Sequence, residues 1–91
     1  MKYVLFGKID PQWIRKPERF AKSKEKLEKL GITLESVHYT QGPYDFVDIV
    51  SAKDPQAVVG FSAWYAGQGY GTLTTMPAFT PEEFSRAIER V

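Results

Sequence analysis

The chain has 91 residues, of which 43% are hydrophobic and 14% aromatic, a composition that favours one globular domain over residues 1–91 and excludes a disordered polypeptide. It has no cysteine, which excludes disulfides, thiolate metal sites and a cysteine nucleophile. The net charge of +1 gives the whole chain no attraction to nucleic acid, and the first ten residues hold too short an apolar run for a signal peptide or a membrane span. We therefore expect a cytoplasmic protein that binds neither nucleic acid nor membrane.

The first two elements are predicted from β-forming residues and from helix boundary signals. Residues 2–9, "KYVLFGKI", predict a strand, and Gly7 inside it indicates a bulge or the close approach of another group. A helix is predicted to begin after Lys16-Pro17 and to end before Gly31, which suits the C′ position. Between positions 15 and 29 lie seven basic and three acidic side chains. A solvated helix face explains this charge first, and an anion-attracting surface is the alternative.

The middle of the chain predicts a β-hairpin. Residues 32–40 and 44–52 have strand character, and Gln41-Gly42-Pro43 between them is strong turn punctuation. Side chains of the second of these strands alternate between two faces, Phe46, Asp48 and Val50 on one and Val47 and Ile49 on the other. Both faces are mostly apolar, so we expect both to be buried.

The rest of the chain predicts a helix, a strand and a second helix. Asp54-Pro55 pairs an N-cap with a first-turn proline and begins a helix that runs to about residue 66. Residues 70–79 predict a strand, which Pro77 places at an edge of the sheet. Thr80-Pro81-Glu82-Glu83 is a capping box that begins a short amphipathic helix.

The element order β-α-β-β-α-β-α predicts an α+β fold, the ferredoxin-like sandwich with strand order 4-1-3-2 and a short C-terminal helix. Such a sheet carries helices on one face only, yet its third strand is apolar on both. A chain of 91 residues has no second layer to cover the open face. We therefore predict a homodimer in which the two sheets pack through this face.

The hairpin tip Gly42-Pro43-Tyr44-Asp45, set in "YTQGPYDFVDIVSAKD", resembles the glycine-tyrosine-aspartate motif of the GYD-domain proteins, which are small bacterial and archaeal proteins. The resemblance extends over nearly the whole chain and includes the "GYGTLTTMPAFTPEEF" segment. It implies the dimeric α/β barrel superfamily, in agreement with the predicted homodimer, and it implies no particular reaction. Asp48 and Trp13 depart from the family pattern, where a small apolar residue and a glycine are usual, and both changes would alter a pocket.

The same hairpin is more weakly similar to the amino-acid-sensing domain of the leucine-responsive regulators, which has the same β-α-β-β-α-β order. There the corresponding loop helps to bind an amino acid at a subunit interface. The resemblance implies an amino-acid-like ligand for this chain. Because the chain lacks the helix-turn-helix of those regulators, it would sense such a ligand without binding DNA alone.

Gly42, Tyr44 and Asp45 admit two interpretations. In the first they are turn chemistry, because glycine adopts positive φ and an aspartate accepts backbone N–H bonds in a turn. In the second the loop binds a small polar ligand through its backbone amides and its carboxylate. The resemblance to the sensor domain supports the second interpretation, so these three residues are ligand-binding candidates.

His38 and Asp48 are the candidate catalytic residues. A buried carboxylate without a partner is costly, and His38 lies on the strand that pairs with that of Asp48. If the hairpin register puts both on one face, they form an acid-base dyad, and a shift of one residue abolishes it. The alternative is a half-exposed His38 and an Asp48 that bonds a hydroxyl or a basic group of the partner subunit.

Phe61, Trp64 and Tyr65 stand out in an unusually aromatic chain. Core and interface packing explain them first, and the alternative is that they bind a small flat apolar ligand. No cofactor is expected, because "GQGYG" precedes a strand and not a helix, which a phosphate-binding loop requires. A lone histidine is also poor evidence for a metal site.

Three functions remain open from the sequence. The first is a small-molecule-binding homodimeric module, either a sensor or a carrier. The second is a cofactor-independent enzyme of the dimeric-barrel type, an isomerase or a monooxygenase, that uses His38 and Asp48. The third is a structural or partner-binding domain.

Overall fold

The computed structural model describes residues 1–91 and has the predicted α+β ferredoxin-like fold. The elements in chain order are the strand β1 (Lys2–Ile9), a short 3-10 helix (Pro11–Trp13), α1 (Glu18–Lys29), β2 (Thr33–Tyr39), β3 (Phe46–Ser51), α2 (Pro55–Gly67), β4 (Gly71–Ala78) and α3 (Pro81–Glu89). The predicted order of helices and strands is therefore confirmed. None of the helices is long and apolar enough to cross a membrane.

The four strands form one antiparallel sheet in the order β2-β3-β1-β4. This is the predicted order 4-1-3-2 read from the other edge. β4 is an edge strand, which tolerates Pro77 because a proline has no N–H to donate to a neighbour. β1 lies in the middle and pairs on both sides, with β3 and with β4.

Side-chain caps begin α2 and α3 where the sequence predicts them. Asp54 accepts a hydrogen bond from the backbone N–H of Gln56 at the start of α2. Thr80 and Glu83 form a reciprocal capping box at the start of α3. α1 ends at Leu30, and Gly31 follows it with φ +72°, a conformation that favours glycine.

The face of the sheet that carries α1 and α2, here called the helix face, holds the core. Residues directly opposite each other in an antiparallel pair share a face, so the pairs Tyr3–Val50 and Leu5–Asp48 place these four side chains together. The core cluster on this face is Tyr3, Leu5, Leu27, Ile32, Val50, Ala52, Val58 and Phe61. A second cluster of Phe46, Tyr65 and Tyr70 continues it towards the other end of the sheet.

Gly7 permits the close approach of an aromatic ring, which confirms one of the two interpretations predicted for it. It pairs with Phe46, and a Cβ on Gly7 would overlap the Phe46 ring. β1 itself has no bulge; the irregularity lies in β2, between Leu34 and Ser36. Any larger residue at position 7 would therefore push the Phe46 ring into the space beneath the helices.

The opposite face of the sheet, here called the open face, has no covering layer within the chain. Val4, Phe6, Val47 and Ile49 form its apolar centre, and each is only half-buried. α3 does not cover this face, because every residue of α3 is exposed, including Phe84 at 63% and Ile88 at 52%. The open face and α3 are the two large apolar surfaces that this chain leaves in water.

Candidate functional site

His38 and Asp48 lie on opposite faces of the sheet, so the predicted dyad is wrong. The register pairs Val37 with Asp48 and His38 with Val47. His38 therefore lies exposed on the open face with Val47, whereas Asp48 lies on the helix face. The bulge in β2 takes up one residue before this point, which is the kind of one-residue shift that reverses side-chain direction.

Of the hairpin residues Gly42, Tyr44 and Asp45, the last two contact β1 and the first supplies the turn. Asp45 Oδ2 accepts a hydrogen bond from the N–H of Ile9 at 2.7 Å, and its own N–H donates to the Gly7 carbonyl at 2.7 Å. Gly42 has φ +149°, and the Tyr44 ring packs 5.2 Å from that of Phe6. These contacts favour the turn interpretation of the motif.

Asp48 is the buried acid of the helix face. Its side chain lies in the interior, with 9% of the residue exposed, and Oδ1 has no hydrogen-bond partner within the chain. Burial raises the pKa of Asp48 from 3.8 to about 6, and the nearby Arg19 guanidinium offsets part of that rise. The two ion pairs of the chain, Lys2–Glu35 and Glu25–Lys29, lie elsewhere.

Arg19 is a buried cation without an anionic partner. It is 6% exposed, and its Nη1 and Nη2 donate long hydrogen bonds to the hydroxyls of Tyr65 at 3.3 Å and Tyr39 at 3.4 Å. Its guanidinium carbon lies 5.2 Å from the centre of the Phe46 ring. Arg19 and Asp48 are thus two buried ionisable groups that approach each other without forming an ion pair.

Arg19 was not predicted from the sequence as a site residue, because it is one of seven basic residues that a solvated face of α1 explains. The available signal was spacing, since Arg19, Ser23 and Leu27 follow one another at intervals of four and are the buried residues of α1. The hydroxyl of Ser23 has no hydrogen-bond partner within the chain either. Two polar residues, Arg19 and Ser23, thus occupy core-facing positions of α1, and their spacing with Leu27 indicates this.

The three aromatic candidates of α2 have different positions. Phe61 and Tyr65 are buried on the helix face, whereas Trp64 packs against Phe61 at 5.7 Å, outside the residues around Asp48. The Tyr65 hydroxyl accepts from Arg19 and donates to the Lys8 carbonyl at 3.4 Å. Burial raises the pKa of the Tyr65 phenol, and Arg19 opposes that rise.

These side chains surround a small cavity, here called the Asp48 cavity. It lies between α1, α2, β2 and β3 and has a volume of about 10 Å³, room for about one water molecule. Its polar walls are Arg19, Ser23, Lys24 and Asp48, together with the hydroxyl-bearing side chains of Tyr39 and Tyr65. The arrangement offers a positively charged hydrogen-bond donor, on Arg19, and a carboxyl group, on Asp48, whose pKa burial raises to about 6.

Two open depressions adjoin the Asp48 cavity. A groove of about 670 Å³ runs between α1 and β2 and shares Phe20, Lys24, Leu27, Leu34 and Val37 with the cavity wall. A basin of about 450 Å³, here called the basic basin, shares Arg19, Phe20 and Tyr39 with it. No group of His, Cys, Asp and Glu side chains in the chain converges as a metal site.

The four-stranded antiparallel sheet with helices packed on one face defines the class of the fold, which is α+β and ferredoxin-like. The structure is similar to that of 5-chloro-2-hydroxyhydroquinone dehydrochlorinase from Burkholderia phenoliruptrix AC1100, solved in complex with 2,5-dihydroxybenzoquinone. The TM-score is 0.62 at 15% identity, over 90% of this chain and 97% of that chain. This likeness establishes the fold.

The chain belongs to the GYD domain family, whose model matches residues 3–88. It is also similar to the glutamine synthetase and cystathionine beta-lyase binding protein of Thermus thermophilus. The two are 30% identical over 66 residues, which is 71% of this chain and 70% of that protein. The resemblance inferred from the hairpin tip is thereby confirmed.

Proposed function

We propose that the chain is a homodimeric module that binds a small molecule in the Asp48 cavity. The observation that carries this proposal is that Arg19 and Asp48, both more than nine-tenths buried, adjoin one cavity without pairing with each other. Buried charges are costly unless they are paired or hydrogen-bonded. A ligand that hydrogen-bonds to both groups removes that cost. We therefore interpret the cavity as a ligand-binding site and not as a purely structural feature.

A partner subunit on the open face offers no alternative partner for Asp48. The sheet itself separates the open face from Asp48, because the side chains of β3 alternate between the two faces. The alternative raised from sequence, in which a group of the partner subunit bonds Asp48, therefore loses its support. In this proposal, the partner of the Asp48 carboxyl is a ligand that enters from the helix side.

Entry of a ligand requires side chains at the edge of the cavity to move. The present volume of about 10 Å³ takes one water molecule, and a ligand needs more. Phe20 and Lys24 adjoin both the cavity and the open groove, and they stand on the surface of α1. Rotation of these two side chains joins the cavity to the groove without any change in the backbone, a common scale of adjustment on binding.

The homodimer forms, in this proposal, through the open face. No element of the chain covers its apolar centre, which consists of Val4, Phe6, Val47 and Ile49. Contiguous exposed apolar surface of this kind is typical of an interaction site.

A second candidate function is the binding of a protein partner. The Thermus thermophilus relative is named for binding glutamine synthetase and cystathionine beta-lyase. In this chain α3 presents Phe84 and Ile88 to solvent on a helix whose every residue is exposed. An amphipathic helix without packing partners in its own chain suits docking to another protein.

The test of the proposed function is native mass spectrometry of the protein purified from its own source, followed by denaturation. We expect a dimer that carries a reproducible small mass, which denaturation releases. Asp48→Asn should lose that mass. Asp54→Asn is the matched control, because Asp54 is exposed at the start of α2 and does not line the cavity, and this variant should keep the bound mass. A dimer without extra mass would contradict the small-molecule proposal and favour the binding of a protein partner.

A further inference from the structure

Arg19 separates the closed Asp48 cavity from the open basic basin. It lines both, together with Phe20 and Tyr39. The hydrogen bond from Arg19 to Tyr39 is long, at 3.4 Å, and Tyr39 is 62% exposed. The Tyr39 side chain can therefore leave the guanidinium and move into solvent at little cost, which exposes Arg19 to a molecule in the basin.

The basic basin has a positive balance of charge. Arg15 and Lys16 line it beside Arg19, and its one acidic side chain is Asp45. One oxygen of that carboxylate already accepts a hydrogen bond from the N–H of Ile9. Three cations against one partly engaged carboxylate attract small anions to this side of α1.

The surroundings of the Arg19 guanidinium are suited to the binding of a planar anion. Its guanidinium lies 5.2 Å from the Phe46 ring, and the only polar groups that it bonds are two neutral hydroxyls, on Tyr39 and Tyr65, at 3.3–3.4 Å. A carboxylate accepts shorter and stronger hydrogen bonds from a guanidinium than a hydroxyl does, often two in parallel. Arg19 is therefore held in place by weak bonds that a carboxylate would outcompete.

We propose that the ligand of this site is a small planar acid, whose carboxylate replaces the Tyr39 hydroxyl as a partner of Arg19 and whose ring lies beside Phe20 and Phe46. This inference rests on the proposed function, since it names the class of ligand for the same cavity. A hydroxyl on the far side of the ring would donate to Asp48, whose Oδ1 has no partner within the chain. The ligand thus satisfies both buried groups, one at each end.

The experiment compares 4-hydroxybenzoate with 4-hydroxybenzamide by isothermal titration calorimetry. The two probes share a ring and a hydroxyl and differ in the charge of the group that faces Arg19. For the wild-type protein we expect the acid to bind about tenfold more tightly than the amide, because a charge-assisted hydrogen bond is lost in the amide. Equal affinities would overturn the inference and leave the proposed function standing.

Variants of Arg19 test whether this residue provides the discrimination. Arg19→Gln should bind the two probes within about twofold of each other. Arg19→Lys keeps the charge without the planar fork and should retain part of the preference. Arg86→Gln, on exposed α3, is the matched control and should bind as the wild type does. Circular dichroism first establishes that each variant is folded.

The outcomes separate this inference from the proposed function. A folded Arg19→Gln or Arg19→Lys protein that keeps the full preference for the acid would overturn the role of Arg19. If Arg19→Gln does not fold, the role of Arg19 is decided by two results. They are the affinities of the wild type for the acid and the amide, and the preference that Arg19→Lys retains. Failure of the wild type to bind either probe at millimolar concentration overturns the inference, whereas the proposed function is decided by the mass released from the native protein.

Discussion

Asp48 is the residue whose burial in the fold disfavours the ionised form of its side chain. Burial raises its pKa from 3.8 to about 6, so between these two pH values the folded protein binds a proton that the unfolded chain has lost. The free energy of unfolding contributed by this group is therefore highest below pH 4 and falls as the pH rises towards 6 and above. A shift of about 2 pKa units corresponds to on the order of 3 kcal/mol.

Asp48→Asn should abolish this fall in the free energy of unfolding at higher pH, because the amide has a similar shape and no charge. Relative to the wild type, its free energy of unfolding should rise with pH by about 2–3 kcal/mol between pH 4 and pH 7. Urea unfolding at several pH values in this range measures the difference. A constant difference between Asp48→Asn and the wild type would contradict a raised pKa for Asp48.

Among the helices and strands, α3 is the element whose stability depends most on its own residues and least on packing against the core. It has nine residues, all exposed, and a helix of this length is marginal in water without packing partners. The Thr80–Glu83 capping box satisfies backbone N–H groups at its start and contributes about 1 kcal/mol to helix formation. The stability of α3 in a single chain is therefore local and owes little to the core.

Thr80→Ala should accordingly loosen α3 and leave the sheet unchanged. We expect the backbone amides of α3 to exchange with deuterium about fivefold faster, which corresponds to the loss of about 1 kcal/mol. Amides of β1 and β3 should exchange at the wild-type rate. Thr80→Ser keeps the capping hydroxyl and serves as the control. Equal acceleration in α3 and in the sheet would mean that α3 is coupled to the core.

For the molecule as a whole, the open face decides the state of assembly in our proposal. Ile49 lies at its centre, paired with Val4 of β1 and directed away from the helices. A lysine at this position would place a charge in the proposed interface between two sheets, where it would have no partner, and burial of an unpaired charge is strongly unfavourable.

Ile49→Lys should be a monomer at concentrations at which the wild type is a dimer. Light scattering after size-exclusion chromatography should give a mass near 10.4 kDa for the variant and twice that value for the wild type. Val59→Lys is the control, since Val59 is 68% exposed on α2 and lies away from the open face, and it should remain a dimer. A dimeric Ile49→Lys protein would contradict pairing through this face.

The sequence by itself determined the elements, their order and the family of this protein. Prolines, glycines and capping residues act over a few positions along the chain, so the helix starts at Asp54 and Thr80 and the edge position of Pro77 could all be predicted. The two apolar faces of β3 follow in the same way from the alternation of side chains along a strand.

The tertiary structure alone decided the composition of the site. Whether His38 faces Asp48 depends on the register between β2 and β3, and a bulge of one residue sets it. Whether Arg19 is solvated or buried depends on which stripe of α1 meets the sheet, and its hydroxyl partners come from β2 and α2. Contacts of this kind join residues 20 to 46 positions apart, and local patterns carry no information on them, because such contacts arise only when separate elements pack together.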